Sequence, residues 1–219
     1  MSYLKLPRTQ GILALFAISS LALVLFSDVD LHVSSFFFDG HRFPSARSWW
    51  VTALHKSVAY FICAALAALV GIYGFNRHAS RTVCGVDARV VGYVFLVLTL
   101  GAGLTVNLIL KNALGRARPR NIVQFGGEQR FTPAFALSRE CARNCSFPSG
   151  DSSGAFLFLA LALASSQKSA PTVMAAVYGG LVSFSRVASG AHFLSDIVVS
   201  FFVMWITADA LYYFILMRK

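Results

Sequence analysis

Long apolar stretches separated by short polar breaks run along most of the chain: Gly11 to Phe26, Val51 to Phe75, Val90 to Leu110, Gly154 to Ser165, Thr172 to Phe184 and Ser195 to Met217. A membrane-spanning helix needs about 20 apolar residues. The second, third and sixth stretches meet that length, and the fourth and fifth are short. The pattern predicts an all-α protein, a six-span transmembrane helical bundle that forms a single domain over residues 1–219. The first stretch follows Lys5 and Arg8 as a signal peptide would, but Ser27-Asp28-Val29-Asp30 offers no small-x-small cleavage site. It is therefore expected to stay as a span. Trp49 and Trp50, beside the second stretch, read as interfacial anchors.

Composition agrees with the pattern. Hydrophobic residues make up 57% of the chain and charged residues 13%, against about a quarter charged in a soluble domain. Mean hydropathy is +0.66. A net charge of +10 would suggest nucleic acid in a soluble protein, but here the basic residues lie in loops flanking apolar helices. No nucleic-acid partner is expected, and anionic lipid is the expected one.

With six spans, the end of the third (Lys111), the start of the fourth (Pro148), the end of the fifth (Ser185) and the start of the sixth (His192) face the same side. The other side carries Lys5, Arg8, Arg77, Arg81, Arg89, Lys168, Arg218 and Lys219, eight of the 19 Lys and Arg residues. The remaining eleven lie on the polar-cluster side, against the positive-inside rule. If Lys111, Arg118 and Arg186 are set aside as anion-binding, each side has eight and the rule is silent. Cys141 and Cys145 then favour an extracytoplasmic face, where this C-x3-C pair would close a small disulfide. Free thiols or a partial metal site are the alternatives, but no nearby His completes a zinc set. Cys63 and Cys84 look unpaired.

Three polar clusters carry the candidate chemistry. Lys111 and Arg118 lie nearly two helical turns apart, so both would share one helix face before Pro119 ends it. Two membrane-edge cations on lipid headgroups would read the same way. Ser149, Gly150 and Asp151 open the fourth span, where free N–H groups and a close backbone approach suit an anion; an ordinary N-cap is the competing reading. His192 and Asp196 stand four apart, the spacing at which a carboxylate orients an imidazole and turns its Nε2 lone pair outward. A purely structural pair has the same spacing. Asp209, near the far end of the sixth span, hints at transport, yet no other span supplies it with an ionisable partner.

The combined pattern K-x6-R-P, P-S-G-x and S-R-x5-H-x3-D resembles the signature of the type 2 phosphatidic acid phosphatase superfamily. Lys111, Arg118, Pro119, Pro148, Ser149, Gly150, Ser185, Arg186, His192 and Asp196 match it. The six-span hydropathy matches the membrane-bound branch. The resemblance implies a metal-independent phosphatase, without cofactor, in which His192 attacks phosphorus to form a phosphohistidine that water then hydrolyses. Lys111, Arg118, Ser149, Gly150 and Arg186 would hold the phosphate oxygens, and Asp196 would orient His192. The implied substrate is a phosphorylated lipid of an inner membrane. Arg116, Arg120, Arg130, Arg139 and Arg143 in the long loop point to a multiply charged headgroup such as lipid A, ahead of undecaprenyl diphosphate, phosphatidylglycerophosphate and phosphatidate.

The chain departs from the family at one position. The usual P-S-G-H ends in a histidine thought to protonate the leaving group, and this chain has Asp151. Asp151 as the general acid, Asp151 as a mere cap, and an inactive protein are three outcomes. Phosphotransfer to a lipid hydroxyl and non-catalytic lipid-phosphate binding are the alternative functions.

Overall fold

The computed structural model describes residues 2–80, 83–165 and 169–218. Arg81, Lys168 and Lys219, which enter the charge balance above, lie outside the described residues. The described chain is helical, and no β-strand occurs among the described residues. Pro7 opens α1 (Pro7–Leu25) at a position where its missing N–H costs nothing. A short helix α2 (Asp28–Ser35) follows, then the long α3 (Trp49–Ala79), which ends where Ser80 turns left-handed. Asn76, buried near that end, donates to the carbonyls of Val83 and Val86 and accepts from Val83 N. These bonds fasten the turn into α4 (Ala88–Ala113), which Asp87 caps through Val90 N at 2.9 Å.

Within α4 the segment Val97–Leu110 is π-helical. Thr105 and Asn107 hydrogen-bond side chains to carbonyls five residues back, at 2.7 Å each. π-helical turns gather at functional sites, and this one leads into Lys111. The helix stops at Ala113, where a left-handed Gly115 (φ +59°) turns the chain. A Cβ there would stand 2.1 Å from the Ser138 carbonyl oxygen, so the position accepts only glycine. Arg118 therefore sits in extended backbone, and the single helix face expected for Lys111 and Arg118 does not form. The two cations meet through a turn.

The remaining helices are α5 (Gly150–Ala164), α6 (Ser169–Ala188) and α7 (Leu194–Met217). α7 is central: Met204 and Ala208 are buried against Tyr93, Val94 and Val97 of α4 and Phe156, Leu157 and Ala160 of α5. Gly101 lets α4 approach α7 so closely that a Cβ would meet the Met204 sulfur at 2.9 Å. Val58, Ala155 and Val182 join α3, α5 and α6.

By length and apolarity α1, α3, α4 and α7 can cross a membrane. Only 11% of the apolar window of α1, and likewise of α3, is buried within the molecule, so both present apolar flanks outward, as lipid requires. The two other expected spans correspond to α5, which is shorter, and to the 20-residue α6. Asp209 is buried and does have a partner: Arg8, at the start of α1, forms an ion pair with it, and Thr9 Oγ1 donates to it at 2.8 Å. The sequence reading that left it without an ionisable partner is corrected, because the partner comes from the loop end of a distant helix.

Candidate active site

Backbone hydrogen bonds tie the three sequence clusters into one site. Arg120 N donates to Gly190 O at 3.0 Å and Ser146 N to Arg116 O at 2.9 Å. Ser149 N donates to Ser200 Oγ at 2.8 Å. The ends of α4, α5, α6 and α7 thus meet, and all eight predicted residues lie there.

His192 is buried (2% exposed) on a loop that glycine makes possible. Gly190 has φ +62°, and a Cβ on it would stand 2.5 Å from the Phe43 ring. The imidazole Nδ1 lies 2.7 Å from the Ser146 carbonyl oxygen. A carbonyl only accepts, so Nδ1 carries the proton and the lone pair of the neutral ring lies on Nε2. Asp196 Oδ2 is farther away, at 3.4 Å. The orienting hydrogen bond expected from Asp196 alone is thus led by a backbone carbonyl, which no side-chain pattern announces. Burial is the main influence holding the His192 pKa below its ordinary value; Arg118 and Lys111 act in the same direction, against Asp196.

Asp196 is fully buried and extensively paired. It accepts from Phe193 N at 2.9 Å, closing the first turn of α7, and from Ser146 Oγ. Arg116 Nη1 reaches its Oδ1 at 2.6 Å, while Arg116 Nη2 reaches Asp30 Oδ2 at 2.7 Å. Asp30 in turn accepts from Ser195 N. Arg116 is 1% exposed and lies over the Phe193 ring at 4.2 Å. It is therefore an internal brace and leaves the set of headgroup cations in which the sequence placed it.

The phosphate-binding candidates surround this core. Gly150 packs so closely that a Cβ would stand 2.5 Å from Asn107 Oδ1 and 3.3 Å from Lys111 Nζ. Ser149 caps α5 by accepting from Ser152 N at 3.3 Å, so its buried hydroxyl serves the helix. Arg118 is half-buried, with its guanidinium 2.9 Å from Asn144 O and 3.1 Å from Asn144 Oδ1. Arg186 Nη1 donates to Asp151 Oδ2 at 3.3 Å, and Nη2 donates to Val51 O of α3 at 3.3 Å. The same Asp151 oxygen lies 3.1 Å from His55 Nδ1. Asp30, His55, Asn107 and Ser146 escaped the sequence reading as site residues, and Arg116 was given another role. His55 alone left a signal there, as an ionisable side chain inside an apolar span.

Cys141 and Cys145 form a disulfide in the loop over the site, while Cys63 and Cys84 are free. At that loop an open pocket of about 450 Å³ is lined by Arg118, Arg120, Asn121, Gln129, Glu140, Arg143 and Asn144.

Among known proteins, a family model described as the PAP2 superfamily matches residues 92–219. The chain is 26% identical over 205 residues to a lipid A 4'-phosphatase of Francisella tularensis subsp. novicida, covering 90% of each chain. A lipid A 4'-phosphatase of Rhizobium leguminosarum is 39% identical over 104 residues, 47% of this chain and 45% of that protein. One of Rhizobium etli is 37% identical over 128 residues, 57% of this chain and 46% of that protein. No solved structure matches the chain. The family match spans more than half of the chain and contains all three clusters, and the chain is a phosphoric monoester hydrolase that belongs to the PAP2 superfamily.

Proposed function

We propose that the chain removes the 4'-phosphate of lipid A through a phosphohistidine on His192. The observation that carries the mechanism is the Ser146 carbonyl at 2.7 Å from His192 Nδ1, which leaves Nε2 as the nucleophilic lone pair. Nε2 bonds to phosphorus as the bond to the sugar oxygen breaks, and water then attacks phosphorus to release inorganic phosphate. Lys111, Arg118, Arg186 and the backbone at Gly150 stabilise the charge that builds on the phosphate oxygens. Asp196 stabilises the imidazolium character of the phosphorylated ring. For the substrate, the support is the relative matched over 90% of both chains, together with the polar pocket beside Arg118. A phosphorylated disaccharide would fill such a space with hydroxyl and phosphate contacts.

In this reading the protein is an inner-membrane protein with six spans, α5 and α6 being the fourth and fifth. α5 has 15 residues, or roughly 22 Å at about 1.5 Å per residue, and would cross by lying deep among its neighbours. The site faces the extracytoplasmic side, where the Cys141–Cys145 disulfide persists.

The test is phosphate release by the purified protein from lipid A, phosphatidate, phosphatidylglycerophosphate and undecaprenyl diphosphate. Lipid A is expected to turn over fastest, losing the 4'-phosphate by mass spectrometry, and His192→Ala to release none. Faster turnover of phosphatidate would overturn the substrate. For the face, cysteines introduced near Gly126 should react with an impermeant thiol reagent on intact cells and cysteines near Ser80 should not; the reversed pattern places the site in the cytoplasm.

A further inference from the structure

Resting on the phosphatase reading, we propose that His55 of α3 is the general acid that protonates the departing alcohol, held in place by Asp151. At position 151 this chain has a carboxylate where its family has an imidazole. The structure brings an imidazole beside that carboxylate from another helix: His55 Nδ1 lies 3.1 Å from Asp151 Oδ2, across 96 positions of sequence.

Asp151 itself is poorly placed to be the acid. Arg186 can only donate, and Asp151 meets both Arg186 and His55 through the same oxygen, Oδ2, which is the arrangement of an acceptor. His55 has the opposite character. With Nδ1–H directed to the carboxylate, its second nitrogen, Nε2, is free to carry and release a proton. Its side chain is 54% exposed, so a leaving group can reach it, whereas the nucleophile His192 is enclosed. The helix that carries it is fixed to the phosphate-binding groups as well. Arg186 Nη2 donates to Val51 O, one turn before His55 in α3, so one arginine ties Asp151 to α3.

The chemistry balances. As His192 Nε2 bonds to phosphorus, the bond from phosphorus to the sugar oxygen breaks, and the proton on His55 Nε2 passes to that oxygen, giving a neutral alcohol. In the second step the now neutral His55 takes a proton from the water that attacks phosphorus. The phosphorus–nitrogen bond breaks, inorganic phosphate leaves, and both histidines return to their starting forms.

The experiment compares His55→Gln with wild type on lipid A and phosphatidate, whose alcohols leave poorly, and on p-nitrophenyl phosphate, whose leaving group needs little protonation. General acid catalysis is typically worth about 10²- to 10⁴-fold, so kcat on the lipids should fall by that factor, and on p-nitrophenyl phosphate by less than about tenfold. The double variant His55→Gln with Asp151→His returns a histidine to the family position and should recover lipid turnover. Equal losses on both kinds of substrate, or undiminished lipid turnover in His55→Gln, overturn the proposal. Failure of the phosphatase reading looks different: His192→Ala would then keep its activity. A wild-type enzyme inert on lipid A but active on phosphatidate overturns only the substrate, and the leaving-group contrast is then read on phosphatidate.

Discussion

Two histidine–carboxylate pairs stand in one site and are built in opposite ways. His192 and Asp196 are four residues apart at the start of α7, both buried, with the carboxylate held by Arg116, Ser146 and the backbone of Phe193. His55 and Asp151 come from different helices, lie partly in the open, and have Arg186 as their further ion partner. In the proposed mechanism the nucleophile must meet phosphorus along one line, and a buried ring with a fixed tautomer suits that task. A proton donor serves an oxygen whose position varies with the lipid. Exposure and a lighter brace suit that task.

The sharpest way to break this comparison is at the nucleophile. His192→Ala should abolish turnover of lipid and aryl phosphates alike, because losing the nucleophile of a covalent mechanism can cost on the order of 10⁶ in kcat. Phosphate-release assays on both substrates check this, and selective loss on lipids alone would exchange the roles of the two pairs.

Bracing should separate the pairs next. Arg116→Met leaves Asp30 and Asp196 charged and unpaired in the interior, a change that costs about 3–5 kcal/mol. Asp151→Asn removes the charge of a carboxylate that is 27% exposed, where water takes over part of the lost interaction, so a smaller cost is expected. Thermal denaturation in detergent should show a large drop in midpoint for the first variant and little for the second. Equal drops would mean that the outer pair is as much a part of the core as the inner one.

The same contrast decides what the sequence could reveal. His192 and Asp196 were legible from their four-residue spacing at the start of a span, although His192 itself lies on the loop before α7, and the three motifs pointed to one end of the bundle because they fall at helix ends of matching parity. Arg116 was misread as a headgroup contact: a charged residue in a polar loop gives no sign that Asp30 and Asp196 will enclose it. Ser146 acts through its carbonyl, which every residue possesses. Gly115 likewise ended the helix before Arg118 through a close approach to Ser138, and close approaches are properties of packing. His55 stood out only as an ionisable side chain in an apolar span, and its partner across 96 positions is set by how α3 meets α5. The short α5 was foreseen from hydropathy, whereas the close fit of its Phe156 ring against Gly179 of α6 is a property of packing.

A smaller effect is expected where the carboxylate is only neutralised. Asp151→Asn keeps a hydrogen-bond acceptor for His55 but removes the charge that supports the protonated ring, and loss of such an orienting partner commonly costs about 10- to 100-fold. Lipid turnover should fall toward the lower end of that range, less than in His55→Gln, with aryl phosphate turnover nearly unchanged. A larger loss than in His55→Gln would return the acid role to Asp151.

The smallest effect is a displacement in pH. Burial, with Arg118 and Lys111 behind it, lowers the His192 pKa, and in the proposed mechanism His192 attacks as the neutral ring. As pH falls through about 6.5, where an ordinary histidine becomes charged, His192 should therefore stay neutral. The acid limb of kcat/KM, which reports the free enzyme, should appear only below that value. Stability carries the matching sign: between the folded and unfolded pKa values the unfolded chain binds more protons, so this histidine's contribution weakens as pH drops below about 6.5. Measuring kcat/KM against pH on p-nitrophenyl phosphate in His55→Gln isolates the inner pair, because proton donation matters least there. The limb should stay where it was in the wild type. If the substitution moves it, the limb belongs to the outer pair, and His192 is not the group that the acid side of the profile reports.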